Sequence, residues 1–182
     1  MRTDDLLHLK YPVGKFVDPV NIQPEQLDNF ISDIEILPGQ IEEEFAVIRK
    51  NSFIEKPYRT DGWTARQVVH HLADSHMNAL IRYKLTLTEE LPTIKPYLEA
   101  RWAELPDTMQ VDPKVSIELL KGIHAKLVTL MRSSSQKDLD RVYFHPESMK
   151  EFKLSTVIAL YAWHGKHHLG HLRIINSNSI TR

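Results

Sequence analysis

Residues 155–175 read STVIALYAWHGKHHLGHLRII, and the period of this stretch decides the fold. At about 100° per residue, with His164 as zero, His168 falls near roughly +40° and His171 near roughly −20°. Val157, Leu160, Tyr161 and Ile175 lie within roughly 60° of the same direction. His167 sits at the edge of that face. The stretch is therefore an amphipathic helix whose inward stripe carries imidazoles among aliphatic side chains, and such a stripe is buried against other helices.

Working outward, three more long helices follow from caps and spacing. Asp112-Pro113 supplies an N-cap and a first-turn proline for a helix with the stripe Ile117, Leu120, His124, Leu127 and Met131, ended by Ser133-Ser134-Ser135. Thr64 and Gln67 form a capping-box pattern. That helix runs through Val68, Leu72, Ser75, Ala79 and Tyr83 to about Glu90 and stops before Pro92. From Pro24 a third pattern runs through Leu27, Phe30, Ile31 and Ile34, then Ile41, Phe45 and Ile48. Pro38 interrupts it, which predicts a kink or two collinear pieces. Residues 56–62 are a loop, and 91–111 a long connection through Pro96, Trp102 and Pro106. Residues 140–153 read as a short hairpin or irregular excursion before the last helix. Residues 1–23 read as an extended arm punctuated by Tyr11-Pro12-Val13-Gly14 and Asp18-Pro19. The expected architecture is a single all-α domain over 1–182, a four-helix bundle with that arm.

Composition narrows the function classes. The 182 residues carry 23 basic and 24 acidic side chains, so no electrostatic case exists for nucleic acid or an anionic membrane as partner. There is no cysteine, which excludes disulfides, thiolate metal sites and a cysteine nucleophile within this chain. Residues 1–10 lack the apolar run of a signal peptide, and no stretch reaches the roughly 18 apolar residues of a membrane span. A cytoplasmic location is the expectation. Histidine stands out: ten in all, four of them between 164 and 171.

An imidazole on a buried apolar stripe is costly unless both ring nitrogens find partners. Side chains four apart on a helix point the same way, so His164 and His168 can converge on one ion. A bundle site also needs a ligand from a facing helix, and the Thr64-capped helix offers His70 and His71. His71 shares a polar row with Ser75 and Asn78, whereas His70 lies with Asp74 and Met77. Spacing favours His71 only slightly and leaves both as candidates.

Here the residues resemble a known family. Residues 62–76, GWTARQVVHHLADSH, are similar to the second-helix motif of the DinB-like superfamily, and 163–171, WHGKHHLGH, to its last-helix motif. The similarity is greatest to the bacterial group of metal-dependent hydrolases that includes bacillithiol S-transferases. Tyr11-Pro12-Val13-Gly14, Pro57-Tyr58-Arg59, Thr88-Glu89-Glu90 and Ile94-Lys95-Pro96-Tyr97 agree in order and spacing. The resemblance implies a DinB-like bundle with metal ligands His71, His164 and His168, and a homodimer. His171, where the wider superfamily often has glutamine, is implied to stand behind the ligands or on the substrate side.

Three neutral nitrogens leave a coordination position open, as catalytic sites do. One divalent transition metal per chain is expected, zinc or nickel. Such a site can make water a nucleophile near neutral pH, giving a metal-dependent hydrolase. It can equally favour the thiolate of a small-molecule thiol, giving an S-transferase acting on an electrophile. The resemblance tips the reading toward the thiol; a non-catalytic metal-binding bundle is the further alternative. Asp74, three residues after His71, is the candidate general base or acceptor from a ligand imidazole. His76, His167 and His171 are candidates for carrying protons or for simple solvation. Trp63 and Trp163 read as packing residues, and Arg66 and Arg82 as surface charges that could neutralise a carboxylate-bearing thiol.

Overall fold

A computed structural model describes residues 3–177. The four long helices are α2 (Pro24–Lys50), α3 (Ala65–Thr88), α6 (Pro113–Ser133) and α8 (Leu154–Ser177). The starts of α3 and α6 are set by the caps read from the sequence. The Thr64 hydroxyl accepts from the Gln67 amide at 3.3 Å, while the Gln67 side chain accepts from the Thr64 amide at 3.0 Å. Asp112 accepts from the Lys114 amide at 2.9 Å, one residue beyond Pro113. Gln23 and Gln26 cap α2 reciprocally, and α2 is one continuous helix through Pro38 rather than two collinear pieces, because a proline removes only one helical donor.

Other features depart from the sequence reading. The arm is not extended throughout: among its described residues Thr3–Lys10 forms a short helix, α1, and residues 11–23 lack regular structure. Its local bonding wins over the weak periodicity of so short a segment. The long connection also folds into two single turns, α4 (Glu99–Trp102) and α5 (Pro106–Gln110), the second started by Pro106. A further turn, α7 (Gln136–Leu139), precedes the excursion, which is a hairpin. Its strands β1 (Val142–His145) and β2 (Lys150–Lys153) pair antiparallel from Val142↔Lys153 to His145↔Lys150. Among the described residues no helix is long and apolar enough to cross a membrane.

The helices are not packed in chain order. α2 packs along α8 and α6, and α3 packs along the same two, so α2 and α3 stand diagonally opposed. This order puts α3 beside α8, which a bundle packed in chain order would not. The core is divided along the bundle axis. One apolar layer holds Ile34, Ala79, Tyr83, Leu127, Val157 and Tyr161; the other holds Leu37, Ile41, Leu72, Leu120, Leu169 and Leu172. Between them, at the same level on three helices, lie His76, His124, His164 and His168. A polar layer thus cuts the hydrophobic core.

The segment after α1 is strapped to α8. Trp163 Nε1 donates to the Gly14 carbonyl at 3.1 Å, and the Phe16 ring lies 5.8 Å from the Trp163 ring. Gly170 lets the strap approach: a Cβ there would meet the Pro12 ring at 2.7 Å. Gly170→Ala gains about 1 kcal/mol of helix propensity but costs 1–3 kcal/mol of overpacking, roughly. The strap is the part that can yield. Amide hydrogen exchange should therefore accelerate at residues 11–16 while α2, α3 and α6 keep their protection; unchanged exchange there would show that the contact is not structural.

Candidate metal centre

Ring nitrogens of His71, His164 and His168 all lie within 4.8 Å of one another, on facing surfaces of α3 and α8. Nε2 of His71 and Nε2 of His164 face each other at 3.2 Å. His71 and His168 are buried, and His164 is partly exposed. Burial holds all three imidazoles in the neutral, ligand-competent form: it lowers the His71 pKa to about 4 and pushes His164 and His168 well below the usual range. Three neutral imidazoles whose nitrogens lie this close, on two helices, fit one divalent cation as a shared partner.

The structure separates the two candidates that spacing left open. His70 turns away, its Nδ1 at 2.7 Å from Ser116 Oγ and its Nε2 at 3.2 Å from the Val111 carbonyl. It fastens α3 to α6. Asp74 lies on the same side, toward α5, and lines neither cavity described below. Burial, with the neighbouring Asp107 carboxylate, raises its pKa to about 6.

Two of the three clustered imidazoles have partners behind them. His168 Nδ1 is 3.3 Å from His171 Nδ1, and His171 Nε2 donates to the Lys10 carbonyl at 3.4 Å. That carbonyl closes α1, where helical acceptors lack intrahelical donors. Tyr58 stacks on His171 with centroids 3.8 Å apart. His171 therefore stands behind His168, one of the two positions its resemblance implied. His164 Nδ1 is 3.3 Å from His76 Nε2, and His76 Nδ1 is 2.8 Å from His124 Nε2. The link between His76 and His124 was not legible in sequence, although both positions sit on buried stripes. Trp63 packs 4.6 Å from the His71 ring, and Trp163 stacks on His167 at 4.8 Å while holding the strap, so both act in packing.

Two cavities reach the centre. One, of about 390 Å³, is lined by all three imidazoles with Lys10, Arg59 and Tyr58. The other, of about 570 Å³, touches His164 and is lined by Ser75, Arg82, Tyr97, Arg101 and Tyr161. His164 thus borders both chambers. Arg66, the other arginine considered from sequence, instead pairs with Glu55 at 2.7 Å and lines neither.

A family model for the DinB superfamily matches residues 40–172. A Bacillus cereus protein named "Putative metal-dependent hydrolase" is 47% identical over 90% of this chain and 93% of its own length. A Bacillus anthracis protein of the same name is 46% identical with the same coverage. Among solved structures, YfiT from Bacillus subtilis, described as "a probable metal-dependent hydrolase with an unusual four-helix bundle topology", is 40% identical. It superposes with a TM-score of 0.91 over 94% of this chain and 98% of its own. A mycothiol-dependent maleylpyruvate isomerase shares the fold at 15% identity and a TM-score of 0.64, over 80% of this chain and 60% of its own.

The titration pattern has a sign. His71, His124 and His167 are depressed to about 4 and His171 to about 3, all chiefly by burial. The unfolded chain binds protons at these sites below about pH 6.5, where the folded chain does not. Asp74 acts oppositely between about 3.8 and 6, but it is one group against several. The melting temperature of metal-free protein should fall steadily from pH 6.5 to 4; a rise over that window would refute the buried neutral imidazoles. Asp74→Asn removes a half-buried charge and should stabilise metal-free protein at pH 7.5 by on the order of 1 kcal/mol, with metal stoichiometry unchanged. Calorimetry and elemental analysis of the variant check both parts.

Proposed function

The chain belongs to the DinB superfamily, and on that premise we propose that it is a metal-dependent S-transferase joining a small-molecule thiol to an electrophile. The observation that carries this reading is His164, a member of the three-imidazole cluster and a wall of two chambers at once. A hydrolase needs room for one organic substrate and a water. A transferase needs room for two organic reactants, one on each side of the centre.

In this reading His71, His164 and His168 hold one zinc or nickel ion, and three neutral ligands leave positions open to a reactant. When bound, the ion favours the ionised, nucleophilic form of a thiol brought to it. The chain's own groups do the rest. Lys10 and Arg59 line the smaller chamber together with Asp61 and Glu99, so its wall offers cations to an acidic group and carboxylates to an amine on one reactant. Arg82 and Arg101 stand with Glu99 and Glu147 in the larger chamber, beside the hydroxyls of Tyr97 and Tyr161. The aromatic rings of Trp63, Tyr58 and Trp163 enclose the imidazoles and limit water at the centre. Having no cysteine, the chain contributes no thiol, so the nucleophile comes from a cosubstrate.

A second reading, a metal-dependent hydrolase, is supported by the names that relatives at 46–47% identity carry. The two separate in one experiment. Metal content is measured for the wild type and for His71→Ala, His164→Ala and His168→Ala. Each protein is then assayed for thiol consumption with an electrophile, and for ester and amide hydrolysis, with and without chelator. We expect one metal per chain, lost in each variant, and thiol consumption that chelation reduces at least about 100-fold, the scale of losing a group worth about 3 kcal/mol in the transition state. Thiol consumption that survives chelation would overturn the metal-centred mechanism, and hydrolysis without any thiol turnover would establish the second reading. Stoichiometric metal with neither activity would mark a non-catalytic binder.

A further inference from the structure

Pro38 lies in the middle of α2, where its missing amide leaves the carbonyl four residues earlier, that of Ile34, without its helical donor. That carbonyl is not left unpaired. His124, on α6, brings its Nδ1 to 2.5 Å from it. From there an unbroken file of ring nitrogens crosses the bundle: His124 Nε2 to His76 Nδ1 at 2.8 Å, and His76 Nε2 to His164 Nδ1 at 3.3 Å. It ends at His164 Nε2, which faces His71 Nε2.

We propose that His124 is a positioning residue for the metal centre: anchored on the carbonyl that Pro38 leaves free, it fixes through His76 the tautomer of His164 and so keeps the His164 Nε2 lone pair aimed at the ion. The metal consequence rests on the reading of His164 as a ligand. The tautomer assignment itself does not.

The file has one solution. A carbonyl oxygen only accepts, so His124 Nδ1 carries the proton. A neutral imidazole carries one proton, so His124 Nε2 is a bare acceptor and His76 Nδ1 must donate to it. His76 Nε2 is then bare, His164 Nδ1 donates to it, and His164 Nε2 is left as a lone pair. Reversing any one ring sets N–H against N–H or lone pair against lone pair. His76 is 0% and His124 2% exposed, so solvent cannot repair such a mismatch. Their rings are also held edge and face: His76 stacks on His124 at 4.7 Å and meets Tyr161 edge-on at 5.1 Å. In the same way the imidazole behind a metal ligand commonly sets its tautomer and orientation, and loss of such a partner weakens metal affinity about 10- to 100-fold.

The test uses two substitutions and two readouts. His124→Phe keeps a ring of similar shape but removes donor and acceptor together. His124→Gln keeps an amide able to donate to the Ile34 carbonyl and accept from His76. In metal-free protein with 15N-labelled histidine, the wild-type His164 ring should show protonated Nδ1 and bare Nε2, and His124→Phe should shift it toward the Nε2-protonated form. Zinc affinity, measured against a chromogenic chelator, should weaken about 10- to 100-fold in His124→Phe and largely recover in His124→Gln. A His164 ring protonated at Nε2 in the wild type overturns the proposal. So does unchanged zinc affinity in His124→Phe, or a His124→Gln protein as weak as His124→Phe, which would reduce His124 to packing. Should the wild type bind no zinc, the ligand reading fails, while the nitrogen spectrum still decides the tautomer file. Should His124→Phe fail to fold, the wild-type spectrum and the His124→Gln affinity decide it.

Discussion

Everything in this molecule answers to one constraint: a layer of imidazoles is buried in the middle of a helical core, and each ring nitrogen there must find a partner. A buried ring nitrogen without one costs about 1–3 kcal/mol. The structure meets the demand in two ways. Inward, the nitrogens of His71, His164 and His168 converge within 4.8 Å, which suits a shared cation. Outward, the remaining nitrogens of His164 and His168 end on backbone carbonyls, of Ile34 through His76 and His124, and of Lys10 through His171. Both carbonyls are ones that helical bonding leaves free, the first because of Pro38 and the second because α1 ends there.

The order of the helices follows from the same demand. His71 and the α8 pair can meet only if α3 and α8 are neighbours, and His124 can bridge α2 to α3 only if α6 lies between them. The diagonal placement of α2 and α3 satisfies both. The strap after α1 then has a chemical reason. It continues from Lys10, the end of α1, whose carbonyl meets His171; with Lys10 it closes one chamber through Tyr11, and it is held by Trp163 and by the absence of a side chain at Gly170. A segment that looks peripheral in the chain is part of the wall of the centre.

The centre combines rigidity with access. Apolar layers above and below fix the rings, and the buried surroundings keep them neutral at physiological pH, which is what a metal ligand requires. Yet His164 opens onto two chambers, each lined by two cationic and two acidic side chains. Asp74, which sequence spacing nominates as a base, lies instead on the row of His70, facing α5. At about 100° per residue, three positions along a helix shift direction by roughly 60°, enough here to lie outside both cavities.

Sequence by itself determined the four long helices, the Thr64 and Asp112 caps and the inward pairing of His164 with His168, because these depend on interactions within a few residues or on the helical period; it left residues 140–153 open between a hairpin and an irregular excursion. It also carried enough resemblance to select His71. It did not determine α1 or the single turns α4, α5 and α7, whose short spans give too little period to read. Nor could it separate His70 from His71 by spacing, since the rotation of α3 about its axis is set by what α3 packs against. The partners of His124 were out of reach for the same reason: Ile34 is 90 positions away and His76 48, and nothing local links them. Pro38 reads as a flaw in a helix until the fold brings an imidazole to the carbonyl it frees. Only the tertiary structure could decide that, because a hydrogen bond needs its two partners within about 3 Å, and sequence distance says nothing about that.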